Sequence, residues 1–107
     1  MTLLDTFQEQ ETFKTIREKI ESEMAPLAWV DLQRAFAQGI TLFVKPELNL
    51  VDVAVEVAEN NTCAVETWME RQQITLVSDE QAREWFESNT SLMTAIIKPW
   101  VLIQTIS

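Results

Sequence analysis

Carboxylates and lysines are the side chains here best able to do chemistry, because the usual agents are missing. The 107 residues include no histidine, one cysteine and one glycine. Without histidine, Ser-His and Cys-His nucleophilic machines cannot be built, and a zinc site of the usual nitrogen and sulfur ligands is excluded. Gly39, the single glycine, cannot supply the glycine fingerprint of a dinucleotide or P-loop site. Asp52, Glu56 and Glu59 would share one face if residues 50–60 are helical, and three hard oxygen donors could hold Mg²⁺ or Ca²⁺. Such sites usually draw ligands from several elements or a glycine-containing loop, whereas regularly spaced carboxylates are what the wet side of a helix carries. A solvated acidic face is therefore the preferred reading, and no metal or other cofactor is expected.

Lys45 and Lys98 each precede a proline at the end of a β-prone run, where loops commonly place functional groups. If the two runs are neighbours, both ammonium groups could face one anionic ligand, with Glu47 or Asp52 as the accompanying carboxylate. Ion pairing with surplus acids, or protection of a strand edge, is the simpler account of both lysines. Cys63 stands between Glu59 and Glu66, the opposite of the cationic setting that activates a thiol, and is read as structural or incidental. Of the four tryptophans, Trp29, Trp68 and Trp85 fall on apolar helix sides and are expected in the core. Trp100 follows Pro99 at a bend and is the best candidate for an exposed anchor, since tryptophan dominates interface hot spots.

The elements that must position these side chains alternate between helix and strand patterns. Phe13, Ile16, Ile20 and Met24 form one stripe of an amphipathic helix, capped by Asp5 or Thr6 and ended by Pro26. A second helix carries Trp29, Leu32, Ala35 and Phe36, with Gly39 as its left-handed stop, and Ile40–Val44 reads as a strand. Val51, Val53, Val55 and Val57 alternate in a strand-like period, yet Asn49 can cap a helix whose Leu50, Ala54, Val57 and Ala58 share a face. Helix is preferred there, because β-branching costs only tenths of a kcal/mol per residue and burial overrides it. Asn60 and Asn61 make a turn or cap before a helix with Ala64, Val65, Trp68 and Met69, and Ile74–Val77 reads as a short strand. Ser78 and Gln81 form a capping box for a helix burying Ala82, Trp85 and Phe86, with Asp79, Arg83 and Glu87 placed to pair outside. Residues 92–103 are apolar and β-prone around Pro99, which marks a bulge, a bend or an edge between two strand pieces. The expected fold is a single small α+β domain over residues 1–107, with about five helices on a small mixed three- to four-stranded sheet.

From Trp29-Val-Asp-Leu32-Gln-Arg34-Ala35-Phe36-Ala37-Gln38-Gly39 onward, the sequence resembles a bacterial family known as domain of unknown function 2288. The likeness continues through Leu48-Asn49-Leu50-Val51 with Val53-Ala54, Trp68, Asp79-Glu80 with Ala82 and Trp85, and Pro99-Trp100-Val101-Leu102-Ile103-Gln104. It covers about residues 15 to 104, and the terminal Pro-Trp-Val-Leu pattern is its most specific piece. The family more often has Asp where Asn49 stands, a departure that keeps the cap and removes a charge. The resemblance implies a small bacterial cytoplasmic protein and supplies no reaction, cofactor or site residue.

Charge narrows the partners. With 17 acidic against 8 basic residues the net charge is −9, which repels nucleic acid backbones and anionic membranes. Residues 47–87 hold ten of the acids against Arg71 and Arg83. A lone cysteine and no recognisable secretory signal point to the cytoplasm, and no apolar run reaches the ~18 residues of a membrane span. Leu3, Leu4 and Phe7 give residues 1–12 more apolar surface than a short leading segment needs, so an extended or oligomerising segment is expected there. The resulting expectation is a non-enzymatic protein-interaction module, self-associating as a homodimer through Leu3, Leu4, Phe7 and Trp100. The alternative is a small-molecule or anion-binding domain, or a carboxylate/lysine enzyme, using Lys45 and Lys98.

Overall fold

The computed structural model describes residues 15–106, and within them five helices pack on both faces of one five-stranded sheet. The helices are α1 (Ile16–Glu23), α2 (Trp29–Ala37), α3 (Leu50–Ala58), α4 (Thr62–Glu70) and α5 (Asp79–Glu87). The strands are β1 (Ala25–Ala28), β2 (Thr41–Val44), β3 (Ile74–Leu76), β4 (Ser91–Ile97) and β5 (Trp100–Thr105), in the spatial order β1-β4-β5-β2-β3. β5 runs parallel to β2, and every other neighbouring pair is antiparallel. Val101, Leu102 and Ile103 are all buried in succession, because the middle of β5 is covered on both faces and a continuous apolar run is what such a strand requires.

Two cores result, one on each side of the sheet. Side chains from β2, β3, β4 and β5 meet Ile20 of α1 and Leu50, Val53 and Ala54 of α3 on one side, with Trp68 of α4 packed against them. On the other, Leu92, Val101 and Ile103 meet Trp29 and Leu32 of α2 and Trp85 of α5. Trp29 and Trp85 lie edge to face with centroids 5.2 Å apart, and Phe36 and Phe43 extend the cluster at 5.5 and 5.7 Å.

Local chemistry explains most boundaries. Asn49 Oδ1 accepts from the amides of Val51 (2.9 Å) and Asp52 (3.3 Å), so residues 50–58 are helix and the valine alternation does not make a strand. The Ser78–Gln81 capping box is present, and Gly39 ends α2 at φ +73°. Some expectations are corrected. The strand count is five: Ala25–Ala28 carries no β-branched residue, yet it pairs with β4 at the sheet edge, where a proline such as Pro26 is tolerated. Pro99 does lie between two strand pieces, which form a hairpin with Ile97 opposite Trp100 and a cis peptide between Lys98 and Pro99. α1 is capped by Thr15, whose hydroxyl accepts from the Glu18 amide at 3.0 Å; the expected caps Asp5 and Thr6, and Phe13, lie outside the described residues. Phe86, expected inside, is 56% exposed, since Trp85 takes the inward position of that turn. Arg83 makes no ion pair with Asp79 or Glu87; among the described residues the ion pair found joins Arg17 of α1 to Asp52 of α3.

Candidate functional site

The helical hairpin α3–α4 and the β4–β5 hairpin turn enclose the most site-like feature of the described residues. Asn60 turns the chain at φ +58°, and Asn61 then caps α4 by accepting from the Ala64 amide at 3.3 Å. Asn61 also donates from Nδ2 to the Glu56 carboxylate and from its backbone to the Glu56 carbonyl, so α4 is tied back to α3. This sends Val65 and Met69, one turn apart, toward the start of β5. There they line a cavity of about 210 Å³ with Leu42, Val57 and Trp100. Its polar lining is Glu56, Asn60, Asn61, Thr62 and Glu66, which leaves both charges negative. Trp100 is 37% exposed and Met69 42%, so the wall is open to solvent. A pocket this size is smaller than the roughly 300–1,000 Å³ of small-molecule sites and is closer to a seat for one or two side chains.

The other residues singled out from the sequence do not converge. Lys45 follows the last residue of β2, whereas Lys98 sits in the turn before β5. Because β2 and β5 are parallel, Lys45 lies level with the far end of β5 and Lys98 with its beginning. Five residue steps along β5 separate the two ends, about 17 Å at roughly 3.3 Å per residue. Two lysines at opposite ends of the sheet cannot clamp one small anion, and the neighbourhood that the lysine reading required is absent. Glu47 accepts from Gln73 Nε2 at 3.2 Å, and the backbone carbonyls of Lys45 and Leu48 accept from Gln104 Nε2 at 3.0 and 2.7 Å. Those bonds hold the β2–α3 loop in place and gather no charged groups.

The acidic face of α3 is divided in the same way. Asp52 pairs with Arg17, Glu56 accepts from Asn61, and Glu59 is exposed at the helix end. Among the described residues, no three acidic, histidine or cysteine side chains are grouped as a metal site would need. Cys63 is exposed in the first turn of α4. Leu3, Leu4 and Phe7 lie outside the described residues. Trp100, the tryptophan expected as an exposed anchor, lies in the wall of this pocket. Val65 and Met69, expected with Ala64 and Trp68 as the apolar set of a helix, were not singled out as site residues and form part of that wall. Their signal was an apolar set at i, i+1, i+4 and i+5, wider than one buried ridge needs. Among the described residues, no helix is long and apolar enough to cross a membrane.

Comparison with known proteins agrees with the fold. The chain is similar to PA1075 from Pseudomonas aeruginosa, known from an NMR solution structure: identity is 31%, the TM-score is 0.76, and the match covers 90% of this chain and 91% of that one. No curated protein matches. The family model described as "Protein of unknown function (DUF2288)" matches residues 15–105, and the chain belongs to that family.

Proposed function

We propose that this protein is a non-enzymatic protein-interaction module whose docking surface is the pocket beside Trp100. The observation that carries the reading is a half-open apolar seat, walled by Val65, Met69 and Trp100, on a helix none of whose residues is buried. An exposed tryptophan next to a concavity of side-chain size is the usual make-up of an interface anchor. Thr62, Glu56 and Glu66 share the lining, but among the described residues no hydrogen bond links the Thr62 hydroxyl to either carboxylate, and Glu56 accepts from Asn61 instead, which favours binding over catalysis. A bacterial cytoplasmic setting goes with this reading, supported by the lone cysteine. Self-association is the second part of the proposal, assigned to Leu3, Leu4 and Phe7 on their apolar character.

Titrating a small neutral alcohol such as n-butanol into ¹⁵N-labelled protein tests the docking surface. Shifts confined to the amides of Leu42, Val57, Val65, Met69 and Trp100, and lost in a folded Trp100→Ala variant, are expected. Scattered shifts, or none, would remove the docking surface. Self-association is read separately by sedimentation: a monomer at micromolar concentration discards it, and a dimer dispersed by Leu3→Ser with Phe7→Ser supports it.

A further inference from the structure

We infer that the occupant of the Trp100 pocket is a basic amphipathic segment of another protein: an apolar side chain or two on one face, with lysines or arginines beside them. This deepens the docking reading and rests on it. The apolar part follows from the wall, where Val65 and Met69 repeat at i and i+4 and present a ridge one helical turn long against Trp100. A helix laid on such a ridge contributes side chains at the same repeat.

The basic part follows from charge. Residues 50–70, which form the α3–α4 hairpin, contain Asp52, Glu56, Glu59, Glu66 and Glu70 and no lysine or arginine. Asp52 is neutralised by Arg17, but that pair lies at the opposite end of α3 from the pocket. Glu56 and Glu66 line the pocket, whereas Lys98 and Arg71, the nearest cations along the chain to Trp100 and Met69, do not. A partner entering over this rim meets carboxylates first, so cations flanking its apolar anchor speed encounter and fix orientation. The same charge argues against a second copy as occupant, because two such hairpins face to face would bring like-charged rims together on molecules that each carry a net −9. It argues equally against an anionic lipid surface.

The test uses two synthetic helical peptides with identical leucine positions, one with lysine and one with glutamate at every charged position, titrated into the ¹⁵N-labelled full chain. The lysine peptide is expected to move the amides of Val65, Met69 and Trp100 and to bind roughly tenfold more tightly than its counterpart, the size two exposed charge pairs can supply at low salt. Glu59→Lys with Glu70→Lys, exposed positions of the same hairpin that do not line the pocket, should reduce that preference while the response to n-butanol persists, which separates loss of charge recognition from loss of the pocket. Equal binding of the two peptides overturns the inference and leaves the docking reading intact. So does concentration-dependent self-association that moves these same amides without peptide. If neither peptide nor n-butanol moves them, both fall together.

Discussion

α3 and α4 are two helices of one hairpin, each nine residues long and each rich in apolar side chains, yet their fates differ. Leu50, Val51, Val53 and Ala54 of α3 are buried, whereas α4 has no buried residue. The difference is position over the sheet. α3 lies across β4 and β5 in the middle, where the strands beneath it are long and apolar. α4 lies against α3 and the three-residue edge strand β3, with too little sheet beneath it to cover Val65 and Met69. Apolar composition therefore does not decide burial; the width of the layer underneath does. A helix that overhangs its sheet keeps apolar side chains available for a partner.

The comparison can be broken by matched truncations. Leu50→Ala in α3 should lower stability by about 2–5 kcal/mol, as a fully enclosed leucine does when a cavity replaces it. The equivalent change in α4, Met69→Ala, should cost within about 0.5 kcal/mol, the range of surface substitutions. Urea unfolding of both variants measures this, and similar losses would show that α4 is part of the core. Trp100→Ala comes next, at roughly 1–2 kcal/mol, since the indole is only partly covered and loses proportionately less than an enclosed aromatic. Its larger consequence should be loss of the n-butanol response.

The two asparagine caps sharpen the same contrast on a smaller scale. Asn49 accepts from two amides at the start of a buried helix, and Asn49→Ala should cost about 1 kcal/mol. Asn61 accepts from one amide at 3.3 Å, so Asn61→Ala should cost less in thermal unfolding; the reverse order would mean that the Asn61–Glu56 tie holds the hairpin together. Asn49→Asp should keep the cap, because either side chain offers the same acceptor oxygen. The smallest effect is expected at Arg17–Asp52, whose side chains are 47% and 52% exposed. Arg17→Ala should change stability by a few tenths of a kcal/mol, less so in high salt. A salt-insensitive loss above about 1 kcal/mol would indicate that Arg17 acts through packing.

Local signals in the sequence already carried much of this. Asn49, Ser78 with Gln81, and Gly39 specify helix ends through hydrogen bonds and φ values that involve only near neighbours, and so could be read without a fold. The helical nature of residues 50–58 was legible for that reason, against the alternation of the valines. The expected class, α+β with five helices on a mixed sheet, followed from the order of such segments. β1 was not legible, because nothing in Ala25-Pro-Leu-Ala28 favours a strand until β4 offers it an edge. The exclusions were also the sequence's own: chemistry that needs histidine, paired cysteines or several glycines is ruled out by composition, whatever the fold.

Pairing over long sequence distances lies beyond such signals. The parallel contact of Thr41–Phe43 with Val101–Ile103 separates Lys45 from Lys98, and no feature near either lysine encodes it. The same contact sets Trp100 beside Leu42 and under the overhang of α4, so that apolar side chains distant in sequence become the wall of an open pocket. Residue types and local caps thus determined the elements and the absent chemistries. Which apolar surface stayed uncovered depended on strand order, since burial is a property of what is stacked against a side chain and not of the side chain alone.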